Sequence, residues 1–320
     1  MPHGWPSTAI EWADLIEVTD SLEPVPESWF NLAGPDPDTG GRIYTLPGIT
    51  GFDAPPVEIF YDERLSLDGA HLRGARNTSR EIFIPVMVEG PDRGIFLRFR
   101  RKLLSYLNPG RGLGRIRLTE GDATSRYLDC VFTGGAEGDY GTGQSGFLWQ
   151  KYGLTFRAID PFWYSTGTVD IQFSSTATGL KPFFGTPFFG LNINSTHSLN
   201  GAVTLTVAGD VETWPTWKFT GPLDGITLAL SGYTTAAYRL DVSLASGQTL
   251  YIDTRPGRRR ILLLDDFNAA TGINYWDRLH AGDSFWPVSP VGTSAVTLTV
   301  GDVGPETTAY LSYRPRFYSA

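Results

Sequence analysis

Tyr238-Arg239-Leu240-Asp241-Val242-Ser243-Leu244 alternates apolar and polar side chains without a break. Successive side chains of a β-strand point to opposite faces, so this segment reads as a strand with one face buried and the other wet. The same grammar extends both ways from it. Strands are predicted at 169–173, 202–207, 216–220, 226–230, 250–254, 260–264, 295–300 and 309–313, at the spacing of ~8 to 12 residues that marks a sandwich or barrel. Arg255-Pro256-Gly257-Arg258 puts Pro and Gly where a type II turn needs them. No helical period of useful length follows Thr168, so the second half is expected to be a jelly-roll sandwich.

Ala-Val-Thr-Leu-Thr-Val occurs at 202 and again at 295, each copy closely followed by Gly-Asp, at Gly209-Asp210 and Gly301-Asp302. Val and Thr are favoured in half-buried strands, which explains the repeat as coincidence; a pseudo-symmetric pair in two facing sheets is the alternative. The copies are too far apart for a solenoid.

Residues 1–50 are rich in turn formers, among them Pro24, Pro26, Gly34-Pro35-Asp36-Pro37 and Gly40-Gly41, and read as an irregular extension. A strand is predicted at 82–88, placed at an edge or bulge because Pro85 lacks the N–H a central ladder needs. Phe96, Phe99, Leu103 and Leu107 recur at helical spacing and predict one helix over 91–108, stopped by Asn108-Pro109-Gly110. Arg98, Arg101 and Lys102 point away from its apolar stripe, toward solvent or a salt-bridged subunit contact. Strands are then predicted at 115–118, 127–132 and 148–159, the last two joined by a glycine-rich loop. The chain thus divides into the extension 1–50, a first domain over 51–165 and a second over 166–320.

A formal net charge of -8 argues against a broad cationic surface for nucleic acid. The single cysteine, Cys130, excludes an intrachain disulfide and sits in an apolar run, as a small buried hydrophobe would. The amino terminus lacks the basic and apolar regions of a signal peptide. No stretch approaches the ~18 apolar residues of a membrane span. A soluble protein with no membrane contact is expected.

Motifs for chemistry are weak. Gly141-Thr142-Gly143-Gln144-Ser145-Gly146 matches GxGxxG, but a strand follows where a dinucleotide site requires a helix, so it reads as a hairpin loop. His3, His71, His197 and His280 are scattered. Asp265-Asp266 with Asn268 lacks the further ligands of a calcium loop. Asn77-Thr78-Ser79 and Asn194-Ser195-Thr196 match glycosylation sequons without a secretory signal. Arg255, Arg258 and Arg259 form a basic turn, either solvated or docked on an acidic neighbour. No catalytic residue, metal or cofactor is expected, and the chain is not expected to be an enzyme.

The most distinctive segment is Leu154-Thr155-Phe156-Arg157-Ala158-Ile159-Asp160-Pro161-Phe162-Trp163-Tyr164. A strand ends at Asp160, Pro161 fixes the backbone, and Phe162, Trp163 and Tyr164 are apolar enough to wedge between domains or subunits. This segment resembles the end of the first domain of phage distal tail proteins. Gly51-Phe52-Asp53-Ala54-Pro55-Pro56, Asp68-Gly69-Ala70, the strand ending at Gly90, the Arg-rich helix, Trp214-Pro215-Thr216, Thr220-Gly221-Pro222 and Leu250-Tyr251-Ile252-Asp253-Thr254 follow in the order of that family. The resemblance implies a mainly β chain, with a β-barrel-like belt domain carrying one helix and then a galectin-like β-sandwich. It implies a hexameric ring at the distal end of a long tail, joining the tail tube protein and tape measure protein to the tail hub protein around a channel for DNA. The long, Pro-rich extension departs from the family pattern.

Two other readings stand beside it. A jelly roll carrying Trp214, Trp217, Trp276 and Trp286 could stack host surface carbohydrate. A wall-degrading hydrolase would need a pair of acids that one sequence cannot single out.

Overall fold

A computed structural model describes residues 9–16, 23–63, 68–178, 196–232, 235–264 and 270–320. The described chain divides into two compact units. The first holds residues 9–16, Glu23–Thr166 and Phe317–Ala320; the second holds Gly167–Arg316. The last four residues therefore return to the first unit, where the sequence reading had kept them in the second domain. Their main chain is held there: the Ala320 amide donates to the Phe52 carbonyl at 2.9 Å, and the Arg80 guanidinium donates to the Tyr318 carbonyl at 2.6 Å.

The first unit contains β1 (Ala9–Ile16), β2 (Val25–Pro26), β3 (Phe30–Asn31), β4 (Gly34–Pro35), β5 (Arg42–Thr45), β6 (Val57–Glu63), β7 (Ala70–Asn77), β8 (Arg80–Glu89), α1 (Arg93–Tyr106), β9 (Gly114–Thr119), β10 (Ser125–Gly134), β11 (Trp149–Ala158) and β12 (Trp163–Ser165). Its main sheet runs β2-β1-β9-β10-β11-β8-β5-β4. The path has two ends, so this is an open sheet around a core and not a closed barrel. The core is built from Trp12, Ile82, Ile84, Phe96, Phe99, Leu128, Phe156 and Trp163, all buried.

Two expectations are corrected here. Residues 9–16 form β1, paired along its length with β9, where an irregular extension was expected. Ile10 and Trp12 face the core while Glu11 pairs with Arg117, the alternation of a half-buried strand. The prolines and glycines of 24–48 separate short strands. The strand around Pro85 is β8, an inner strand between β11 and β5. It tolerates proline because Pro85 lies opposite Gly153, whose amide bonds away from β8 to the Gly135 carbonyl. That is a non-hydrogen-bonded pair, so the missing N–H faces the side where β5 has already ended at Thr45.

Helix α1 forms as predicted. Asp92 caps it, its carboxylate accepting the Ile95 amide at 2.8 Å, and Phe96, Phe99 and Leu103 are its buried stripe. Cys130 is fully buried on β10, and burial holds its thiol well above the ordinary thiol range.

The second unit contains β13 (Val169–Ser174), β14 (Thr176–Thr178), β15 (Thr196–Leu205), β16 (Thr216–Thr220), β17 (Leu223–Ser231), β18 (Ala236–Leu244), β19 (Thr249–Asp253), β20 (Arg260–Leu264), β21 (Ala270–Asn274), β22 (Ser294–Val303) and β23 (Thr308–Tyr313); β24 (Arg316–Phe317) carries the chain back to the first unit. One sheet runs β13-β23-β16-β19-β20-β21 and the other β14-β15-β22-β17-β18. Trp217, Phe219, Leu228, Tyr238, Leu240, Leu250, Ile252, Leu298 and Leu311 form the core they share. In β18 the predicted alternation holds at every position from Tyr238 to Leu244. The repeated hexapeptides do not lie in facing sheets: they sit on β15 and β22, which pair directly, Val203 opposite Val296. The predicted type II turn is present, with the Arg258 amide bonded to the Arg255 carbonyl at 3.0 Å and Gly257 at φ +79°.

Candidate assembly surfaces

Among the described residues, strands β6 and β7 pair only with each other. Val57, Ile59 and Tyr61 alternate along β6 and lie opposite Asn77, Ala75 and Leu72. These side chains share one face of the hairpin, and Val57, Ile59, Tyr61 and Leu72 are each more than half exposed. The other face is charged. Arg76 pairs with Glu58 at 2.7 Å and lies over the Phe60 ring, and Arg73 pairs with Asp62. A lone two-stranded hairpin is marginal in water, and a contiguous apolar face on one marks a protein contact. Sequence reasoning passed over this hairpin. Its signal was present in Val57-Glu58-Ile59, followed by Tyr61-Asp62.

On α1, Arg98 and Arg101 are exposed and lie on one face with Leu104. Neither arginine has an ion pair or hydrogen bond among the described residues. Lys102 differs: its ammonium donates to Asp36 and Asp38 of its own chain, each at 2.6 Å. Burial acts to raise the Asp36 pKa, but hydrogen bonds from Lys102 and Thr39 outweigh it and hold the carboxyl below its ordinary value.

The aromatic junction is used inside the first unit. Trp163 is fully buried, meets Phe52 edge-on, and donates its indole N–H to the Phe52 carbonyl at 3.1 Å. Phe162 packs against Tyr318, and Tyr164 stacks on Tyr127. The Tyr164 hydroxyl donates to the Asp160 carboxylate at 2.6 Å, and the Phe162 amide bonds to the same side chain. Pro161 is buried beside them. Arg80, unremarked in sequence, organises the region: it is 1% exposed and donates to the carbonyls of Gly51, Phe52 and Tyr318. Burial lowers its pKa to about 10 against the pull of Asp53 and Asp160.

In the basic turn, Arg255 is held by the fully buried Asp253 through two hydrogen bonds of 2.9 and 2.6 Å. Arg258 belongs to the turn itself and Arg259 covers the Trp214 ring. The three arginines therefore serve their own unit in different ways.

The GxGxxG segment lies in the connection between β10 and β11, where the Gln144 amide closes a turn on the Gly141 carbonyl and Lys151 caps the Gly143 carbonyl at 2.8 Å. It opens onto a strand. Of the four tryptophans considered for sugar stacking, Trp217 and Trp286 are buried in the sandwich core, and Trp276 is exposed. Among the described residues no three His, Cys, Asp or Glu side chains are grouped to hold a metal, and no helix is long and apolar enough to cross a membrane. His3, Asn194, Ser195, Asp265, Asp266, Asn268 and the side chain of His197 lie outside the described residues.

No family model matches the sequence, and no curated protein matches it. Solved structures do. The Dit protein of phage SPP1, described as a paradigm of the hub adsorption apparatus in phages infecting Gram-positive hosts, aligns with a TM-score of 0.56 at 16% identity, covering 86% of this chain and 94% of that one. A chain of the phage P2 baseplate in its calcium-activated conformation aligns with a TM-score of 0.51 at 8% identity, covering 96% of this chain and 98% of that one. The strontium form of that baseplate gives a TM-score of 0.50 at 8% identity, with the same coverage of both chains. Nearly the whole of each partner is matched, both units included. The chain therefore shares the mainly β fold of the SPP1 Dit protein.

Proposed function

We propose that the chain is a structural protein of a long-tailed phage virion, assembling as a hexameric ring at the distal end of the tail tube. The ring joins the tail tube protein and tape measure protein to the tail hub and leaves a channel for DNA. The observation that carries this reading is the β6–β7 hairpin, whose apolar face has no cover among the described residues. A second copy of the chain is the occupant. Repeating one head-to-tail contact around an axis covers every hairpin and leaves none over, which is the logic of a closed ring. The free guanidinium groups of Arg98 and Arg101 offer the polar complement beside Leu104 that interface rims use. The shared fold with a hub protein and a baseplate chain supports the same assignment.

Electron microscopy and sedimentation of the full chain test it. Rings of about six copies are expected. An unvarying monomer at the highest soluble concentration overturns the proposal.

A further inference from the structure

The outer face of the second unit's six-stranded sheet contains a groove of about 360 Å³ lined by Thr216, Trp217, Lys218, Tyr251, Tyr310 and Ser312. That volume lies within the ~300 to 1,000 Å³ of small-molecule sites. Register places its parts. On β16, Lys218 lies directly between Tyr310 of β23 and Tyr251 of β19, and Thr216, two residues earlier on the same face, lies beside Ser312. Trp217, between them, points into the core and forms only the floor.

Lys218 is the unusual member. It is half-buried, and neither a carboxylate nor any other hydrogen-bond partner meets its ammonium among the described residues. The acid nearest in register, Asp253, is committed to Arg255. Burial alone lowers the Lys218 pKa, as expected of a cation without a counterion.

We propose that this groove binds an acidic carbohydrate, with Lys218 pairing the sugar's carboxylate. Tyr310, more than a third exposed, offers a ring face for the sugar's apolar side; Tyr251, with Arg260 over its ring, forms the opposite wall. Ser312 supplies a hydroxyl at the floor's edge, and the Thr216 hydroxyl, which donates to the Ser312 carbonyl at 3.2 Å, is left as an acceptor. A peptide is disfavoured because β16, β19 and β23 are each paired on both sides and present no free backbone edge for an added strand. Trp217 enters this site only as its floor, with its ring turned into the core, and the site does not depend on how the ring assembles.

The test is calorimetric titration of the full chain with trigalacturonate, the neutral galactotriose, inorganic phosphate and a glutamate-rich peptide. Saturable binding of trigalacturonate is expected, weakened about tenfold or more by Lys218→Met, which keeps the apolar stem, and several-fold by Tyr310→Ala. Galactotriose and phosphate should each bind at least about tenfold more weakly, since each supplies only half of the contact. Unchanged thermal melting of both variants shows that the fold is intact. Trigalacturonate binding indifferent to Lys218→Met, no binding of trigalacturonate, or tighter binding of the peptide or of phosphate overturns the proposal.

Discussion

Strand β18 and hairpin strand β6 are written in the same grammar, and their fates differ. Tyr238, Leu240, Val242 and Leu244 alternate with polar residues and are buried to within 3% exposure. Val57, Ile59 and Tyr61 alternate in the same way and are each more than half exposed. Alternation establishes that a strand has an apolar face; it does not establish which chain covers that face. On β18 the cover is the opposite sheet of the sandwich. On β6 no described residue covers it, which is why the proposed assembly contact is placed there.

A carboxylate placed on each face separates the two strands most strongly. Leu240→Asp puts an unpaired charge in the sandwich core and removes packing, costing more than about 4 kcal/mol, so the second unit should fail to fold. Ile59→Asp should leave thermal melting of the monomer within about 0.5 kcal/mol of the parent. Circular-dichroism melts at low concentration decide between them. Cooperative unfolding by Ile59→Asp would mean the hairpin is covered by its own chain.

A smaller effect concerns association. Each half-exposed side chain of the hairpin contributes about 1 kcal/mol when a neighbour covers it. Ile59→Asp with Leu72→Asp removes two such contributions and adds two charges to desolvate, weakening assembly about 100-fold or more. Sedimentation should show rings dispersed to monomers that still melt normally. Intact rings from the double variant would place the subunit contact elsewhere.

How much was legible in the sequence follows the same division. The sandwich strands, α1 with its stripe of Phe96, Phe99 and Leu103, the loop holding the GxGxxG letters and the buried Cys130 were readable because periodicity and turn chemistry are local. β1 was hidden by the neighbouring prolines and glycines, although Ile10 and Trp12 carried its alternation. The inner position of β8 was obscured by Pro85, whose tolerance depends on where β5 ends, a fact of pairing and not of composition. The aromatics Phe162, Trp163 and Tyr164 announced burial, but their partners Phe52, Tyr127 and Tyr318 lie far away in sequence. Lys218 stood out only once register set it between two tyrosines, with no carboxylate pairing its ammonium among the described residues.

The charged faces give the finest distinction. On the hairpin, the Glu58–Arg76 pair is exposed on both sides, so Glu58→Gln should change stability by less than about 0.5 kcal/mol and lose even that effect in high salt. Lys102 is 22% exposed and Asp36 only 9%, so Lys102→Met strands a largely buried carboxylate and should cost about 1 to 2 kcal/mol at neutral pH. Because the Asp36 pKa is lowered by folding from 3.8, its stabilisation is present above that value and is lost as pH falls through the lower folded value. The Lys102 pKa is raised from 10.5, so its share is complete below that value and fades as pH rises through the folded one. Lys102→Met should therefore flatten both limbs of the stability profile, below 3.8 and above 10.5, while Glu58→Gln leaves them unchanged. Urea unfolding across pH measures this, and equal profiles for the two variants would mean that Lys102 is as solvated as the hairpin's arginines.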